Sequence, residues 1–146
     1  MYSSDEIIAM QQQAEKSRLS FPEEFMLLPP EVLQNIFNGF GPEEWPEIIR
    51  CTLSWIFRAY PAAAAIHDLR YEFSDGTSPS RRRADREFIR NLLLLWLLQI
   101  RAGKLPGMRA VYELIKIILA GILTWFGGSR AWQQSYCRKM EVEYDE

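Results

Sequence analysis

The chain has 146 residues, of which 48% are hydrophobic and 13% aromatic, and its formal net charge is -2. This length suits one domain with a sizeable buried core. The near-neutral charge gives no overall attraction to nucleic acid, so we expect no nucleic-acid partner. The first 20 residues lack the basic start and apolar core of a secretory signal, so we expect a cytoplasmic protein.

The chain contains two cysteines, Cys51 and Cys137, and one histidine. Two distant thiols without clustered histidines cannot form a structural zinc site. We therefore predict that both cysteines are reduced, buried thiols.

Apolar residues recur mostly at spacings of three and four, which predicts a single all-α domain. A polar N-terminal helix or arm is predicted within residues 1–20, with the helix from Ser4 to about Arg18. The Pro29-Pro30 pair suits the first turn of a second helix over Glu31–Phe37. The loop Asn38-Gly39-Phe40-Gly41-Pro42 should end that helix, because glycine permits unusual backbone shapes and proline blocks continuation.

A third helix is predicted over Trp45–Tyr60, and Pro61 should open a fourth. The polar segment Ser74–Pro79 is typical of a connecting loop. Ser80 is then the predicted N-cap of a helix over Arg81–Arg101, whose apolar residues cover more than one face, as in a central helix.

The segment Gly103–Gly107 should break the chain before a C-terminal helical region over residues 108–132. Its long helix is predicted to end at Gly127-Gly128, because glycine commonly ends helices. The acidic tail, residues 141–146, should be frayed. We expect no bilayer-spanning segment, because the apolar stretches are short or interrupted by Lys116.

The candidate site lies around His67, the only histidine in the chain. Imidazole is the side chain whose ordinary pKa lies near neutrality, so a histidine held by a carboxylate can take a proton from water. His67 and Tyr71 are four residues apart and share a helix face, whereas the adjacent Asp68 points about 100° away. Asp85 opens the next predicted helix and is a second candidate carboxylate.

Three segments together resemble the secreted and parvovirus-type phospholipase A2 family, over about residues 38–91. They are the loop Asn38-Gly39-Phe40-Gly41-Pro42, then Ala65-Ile66-His67-Asp68-Leu69-Arg70-Tyr71, then Ala84-Asp85-Arg86-Glu87-Phe88. The tail, Phe126-Gly127-Gly128-Ser129-Arg130-Ala131-Trp132, adds a closer likeness to small, largely uncharacterised bacterial and phage-associated proteins with the Gly-x-Gly-Pro and His-Asp-x-x-Tyr elements.

The phospholipase resemblance implies a core of two antiparallel helices within residues 38–91, with additional helices packed around it. It also implies hydrolysis of a glycerophospholipid ester, calcium as cofactor, and a phospholipid or membrane surface as partner. Calcium prefers oxygen ligands and polarises an ester carbonyl, which fits such a site. The family pattern carries these roles to this chain: His67 as general base, Tyr71 and Asp85 as its hydrogen-bonding partners, Asp68 as calcium carboxylate, and Gly39, Gly41 and Glu43 as carbonyl ligands.

One departure from the family concerns the disulfide that ties the calcium loop to the histidine helix in many secreted members. The corresponding positions here resemble Phe40 and Ala64. Packing of these side chains would replace the covalent link and suit a reducing cytoplasm; alternatively, the loop no longer holds calcium. The loop is also farther from the histidine, since 26 residues separate Gly41 from His67.

Three other interpretations stay open. The main rival is a non-catalytic, phage-derived structural or interaction protein that retains the His-Asp helices for packing and assembles as a homo-oligomer through its apolar helices. In that case Asp68 and Asp85 are ordinary salt-bridge partners of nearby arginines. A membrane-active protein would need the stretches Leu92–Ile100 and Ile115–Phe126 exposed. Finally, the run Arg81-Arg82-Arg83 is either a solvated face or a contact for lipid head groups.

Overall fold

The computed structural model describes residues 2–37, 55–56 and 58–144, and within them the predicted all-α class is confirmed. The six helices with defined bounds are α1 (Ser4–Lys16), α2 (Glu24–Leu27), α3 (Pro30–Ile36), α4 (Pro61–Glu72), α5 (Ser78–Arg101) and α6 (Gly107–Tyr144). The predicted loop at residues 38–42, Cys51 and most of the predicted helix over residues 45–60 lie outside the described residues.

The N-terminal helices begin where local chemistry favours helix starts. Ser3 caps α1 by accepting the amide of Glu6, whose carboxylate accepts the amide of Ser3 in return. Pro30 occupies the first position of α3, where its missing amide proton has no helical partner to lose.

Helix α4 lies at the centre of the fold, packed against α1, α3, α5 and α6. Its run Ala62–Ala65 is at most 2% exposed, and these small side chains let neighbouring helices approach closely. Contacts of α4 with α5 run in opposite directions along the two helices: His67 packs on Phe88, and Tyr71 bonds to Asp85 nearer the start of α5. The two helices therefore form an antiparallel pair.

Buried polar contacts fasten the outer segments to this pair. The amide of Ser20 donates to Asn91 Oδ1 at 2.9 Å, and Asn91 Nδ2 donates back to the Ser20 carbonyl at 2.7 Å. The Tyr60 hydroxyl donates to Glu113 Oε2 at 2.6 Å, which joins the start of α4 to α6. Since Asn91 and Tyr60 are buried, each of these groups needs its partner.

The start of α5 corrects the predicted cap. Thr77, not Ser80, is the N-cap, and its hydroxyl accepts the amide of Ser80. Asp75 accepts hydrogen bonds from the hydroxyls of both Thr77 and Ser80. The aspartate therefore stabilises a defined turn within the segment that was predicted as a connecting loop. Gly76 takes a left-handed φ of +73° within this turn.

The predicted helix end at Gly127-Gly128 is wrong. Helix α6 continues through both glycines to Tyr144, so residues 141–144 of the expected frayed tail are helical; the last two residues lie outside the described chain. A glycine inside a helix costs only about 1 kcal/mol relative to alanine, and close packing at position 128 accounts for its presence there. Cys137 is a free thiol, as expected, but it is exposed rather than buried.

Candidate functional site

Asp85 is the centre of the candidate site. It lies in the second turn of α5 and is 2% exposed, yet both of its oxygens have partners. Oδ1 accepts the Tyr71 hydroxyl at 2.8 Å and lies 3.3 Å from His67 Nε2, while Arg81 Nη1 donates to Oδ2 at 3.2 Å. Tyr71 and Arg81 therefore donate to this carboxylate, and His67 Nε2 lies within hydrogen-bond distance of it.

The imidazole of His67 is held by two rings as well as by Asp85. The ring centroids of Tyr71 and Phe88 each lie 4.4 Å from that of His67. In the tautomer that donates from Nε2 to Asp85, the ring proton is on Nε2 and a lone pair is on Nδ1. Within the part of the chain that the structure describes, Nδ1 has no hydrogen-bond partner, and the side chain is 13% exposed. Such an imidazole has one nitrogen oriented by the protein and the other available as a base.

Tyr71 stays a hydrogen-bond donor because ionisation would be unfavourable there. Burial raises the pKa of its hydroxyl first, and the negative charge of Asp85 and the bond to it raise that pKa further. Arg81 acts in the opposite direction. The predicted catalytic residues His67, Asp85 and Tyr71 thus come together in one cluster.

Helix α6 closes one side of this cluster at Gly128. A Cβ at this position would collide with the Tyr71 hydroxyl and lie 3.5 Å from Arg81 Nη1. Arg81 Nη1 also donates to the carbonyl of Trp125 at 3.2 Å, and the ring of Trp132 meets that of Tyr71 edge-on at 5.0 Å. The helix therefore contributes a backbone acceptor and a buried aromatic wall.

Sequence reasoning assigned no site role to Gly128 or Trp132, and it considered Arg81 only as a salt-bridge partner or as part of the basic run Arg81-Arg82-Arg83. The position of Arg81, four residues before Asp85, was a usable signal, because residues at that spacing share a helix face. The glycine was mistaken for a helix stop. Trp132 carried no separate signal, because its place beside Tyr71 depends on how α6 packs.

Asp68 points away from the Asp85 cluster, as its neighbouring helix position predicts. The residue as a whole is partly exposed, but its Oδ2 atom is buried and has no hydrogen-bond partner among the residues that the structure describes. Burial raises the pKa of this carboxyl well above its ordinary value. A buried carboxylate oxygen without a donor is suited to a cation, since a charge there otherwise lacks compensation.

The other predicted calcium ligands, Gly39, Gly41 and Glu43, lie outside the described residues, as does Phe40 of the expected disulfide replacement. Among the residues that are described, no three or more His, Cys, Asp or Glu side chains form a metal-binding group. The described part of the chain therefore contributes one predicted ligand, Asp68.

A cavity of about 300 Å³ lies beside the cluster but does not include His67. Its walls come from the start of α2 and the residues before it, from α4 and the loop that follows, and from α5 and α6; they include Glu24, Leu69, Ala84 and Trp132. It is therefore separate from the free nitrogen of the imidazole.

Comparison of the chain with family models, with curated proteins and with solved structures gave no match.

Proposed function

We propose that the chain hydrolyses an ester bond of a glycerophospholipid in a calcium-dependent reaction, with His67 as the general base. The observation that carries this proposal is the polarised imidazole: Asp85 lies at Nε2, and Nδ1 has no partner among the described residues. This arrangement, together with Tyr71 behind the same carboxylate, is what the phospholipase A2 resemblance implies for these positions.

In this mechanism Nδ1 of His67 takes a proton from a water molecule as the water oxygen attacks the ester carbonyl carbon. Asp85 stabilises the resulting imidazolium through Nε2–H. The imidazolium then returns its proton to the leaving alkoxide as the carbon–oxygen ester bond breaks. The products are a fatty acid and a lysophospholipid, and the histidine regains its starting form.

Calcium, when bound, would polarise the ester carbonyl and stabilise the negative charge that develops on its oxygen. Asp68 is the described residue that would hold it, and the unpartnered Oδ2 atom fits this role. Gly39, Gly41 and Glu43 complete the proposed ligand set by resemblance.

The test is fatty-acid release from mixed phospholipid vesicles, measured with calcium and with chelator. We expect calcium-dependent release that falls by about 100-fold or more in His67→Ala and Asp85→Asn, because positioned acid–base groups contribute about 10²–10⁴-fold. The matched control is Glu87→Gln on the same helix, which removes the same charge from a carboxylate paired with Arg70 rather than with His67. Circular dichroism verifies equal folding.

Two results would contradict the proposal. Release that persists in His67→Ala would assign the activity to another group or to a contaminant. No release from any lipid by a folded chain would favour the rival, in which the same polar cluster only fastens α4, α5 and α6 together.

A further inference from the structure

Helix α6 carries an uninterrupted apolar face that the other described residues leave exposed. Nine large apolar side chains on it are between 45% and 82% exposed. They recur at spacings of three and four, so they lie along one side of the helix. This apolar face consists of Met108, Val111, Tyr112, Ile115, Ile118, Leu119, Ile122, Trp125 and Phe126.

The face is large for a water-soluble surface. From Met108 to Phe126 it runs for about 27 Å along the helix at 1.5 Å per residue, and contiguous apolar patches on monomers rarely exceed a few hundred Å². Aliphatic residues occupy its middle, with Tyr112 near one end and Trp125 near the other. Aromatic side chains with a polar edge are favoured where an apolar phase meets water.

The opposite side of α6 is committed to the protein core. Ile117 and Ala120 are fully buried there, and Glu113 accepts the Tyr60 hydroxyl. By length and composition alone, the segment Gly107–Ser129 would suffice to cross a bilayer. Crossing would require stripping these core contacts and placing Glu113 in hydrocarbon, so the packing favours a helix that lies along a surface.

The charge around the apolar face is strongly positive despite the net charge of the chain. Residues 78–130 contain ten Lys and Arg against three Asp and Glu, whereas residues 2–37 contain six acidic residues and two basic ones. All three acidic residues of the first segment, Asp85, Glu87 and Glu113, contact basic side chains. Of the remaining cations there, those whose side chains are described have no acidic partner in the described part of the chain.

Three of these cations form a row on α5, the helix that packs against α6. Arg82, Arg86 and Arg90 are exposed and follow one another at four-residue spacing. Ile89, on the same turns, reaches to within 2.8 Å of where a Cβ of Gly121 on α6 would lie. The row therefore lies on turns of α5 that also contact α6.

We infer that the apolar face of α6 and the arginine row of α5 form a docking surface for a bilayer that contains anionic phospholipid. The apolar side chains would enter the boundary between head groups and acyl chains, and the arginines would contact phosphates. A second copy of the chain fits less well, because two copies meeting through this face would bring their arginine-rich edges together. Docking does not depend on ester hydrolysis by His67.

The test is flotation of the full chain with vesicles of ether-linked phospholipids, which contain no ester for the proposed reaction to cleave. We expect binding to phosphatidylcholine vesicles that contain phosphatidylglycerol, and much weaker binding to phosphatidylcholine alone. Arg82→Gln and Arg90→Gln should each weaken binding about fivefold, given the attraction of one cation to an anionic surface. Lys16→Gln on α1 is the control for loss of a cation.

The apolar contribution is tested by Ile122→Asp, which we expect to weaken binding by about tenfold or more, because it replaces inserted hydrocarbon by a charge. Ile8→Asp on α1 is its control, since Ile8 is 41% exposed and Ile122 is 48% exposed. Carbonate at high pH should release the chain from the vesicles.

Three outcomes would overturn the inference. The first concerns vesicle binding: either the folded chain does not float with the vesicles, or Ile122→Asp and Ile8→Asp lose binding equally. The second is a dimer in light scattering that Ile122→Asp dissociates, without vesicle binding, which would identify a second copy as the occupant. The third is retention after carbonate extraction, which would indicate a spanning helix.

Discussion

Gly128 is the position at which helix α6 most closely approaches the candidate site, and Gly128→Ala tests that packing. The added Cβ would collide with the Tyr71 hydroxyl and lie 3.4 Å from Cζ of the same ring. The hydroxyl cannot move freely, because it donates to Asp85 at 2.8 Å and its ring packs against Trp132. Either α6 shifts or the hydrogen bond breaks.

The expected destabilisation is a difference between opposing effects. Overpacking costs about 1–3 kcal/mol, and loss of a hydrogen bond to a charged group costs about 1.5–3 kcal/mol. Alanine recovers about 1 kcal/mol of helix propensity. Where both costs apply, we expect Gly128→Ala to lower the free energy of unfolding by about 1.5–5 kcal/mol, measured by urea denaturation.

The neighbouring Gly127 is the matched control, because a Cβ there would meet no atom within 4 Å from the described residues outside its own stretch of helix. Gly127→Ala should therefore stabilise the chain by about 1 kcal/mol through helix propensity alone. Tyr71→Phe should relieve much of the cost of Gly128→Ala, since it removes the colliding hydroxyl, and a double-mutant cycle measures this coupling. Equal stability of the two alanine variants would refute the packing argument.

Three further predictions concern buried polar groups and a second glycine. Because burial raises the pKa of Asp68, the folded state keeps this proton to higher pH than the unfolded state does, so the carboxyl reduces stability as pH rises above its ordinary pKa. Asp68→Asn in chelator should therefore raise the melting temperature at pH 7 relative to the parent chain but not at pH 4; an equal shift at both pH values would contradict this. Tyr60→Phe should cost about 1.5–3 kcal/mol in urea denaturation, because it leaves the buried Glu113 without its 2.6 Å donor; a neutral result would mean that Arg109 or water replaces the hydroxyl. Gly121→Ala should be nearly neutral in the same assay, because its Cβ would meet only the flexible end of Ile89, and a loss above about 2 kcal/mol would show that Ile89 cannot move.

Local rules predicted the helices and the shared face of His67 and Tyr71, whereas the antiparallel pair and the meeting of these residues with Asp85 were implied only by the resemblance to phospholipase A2. Spacings of three and four set the helices, proline marked the start of α4, and residues four apart share a face. The same rules misplaced the N-cap of α5, because both Thr77 and Ser80 are residue types that cap helices. The hydrogen bonds of their hydroxyls to Asp75 set the boundary, and the sequence does not show them.

The errors along α6 have a different origin. Whether a glycine ends a helix or lies within it depends on the neighbour that packs against it, and here Tyr71 is 57 residues away in sequence. Likewise, periodicity shows that one stripe of α6 is apolar, but not that the helix has a second apolar face exposed opposite its buried one. Tertiary contacts determine both the role of the glycine and the exposure of the apolar face, and a local sequence pattern does not reveal those contacts.

The two proposals meet at residues 125–128 of α6, where the apolar face and the candidate site share one turn of helix. Trp125 presents its ring to solvent while its carbonyl accepts Arg81, and Gly128 lies against Tyr71. A bilayer docked on this face would therefore lie about one helix diameter from the Asp85 cluster, roughly 10 Å. Two variants nevertheless separate the proposals: Ile122→Asp changes a docking residue that is 48% exposed, whereas Asp85→Asn changes a residue that is 2% exposed. We expect Ile122→Asp to lose docking but keep activity on monomeric substrate, and Asp85→Asn to lose activity but keep docking. That pair of results would show that the surface and the site are independent functions of the same helix packing.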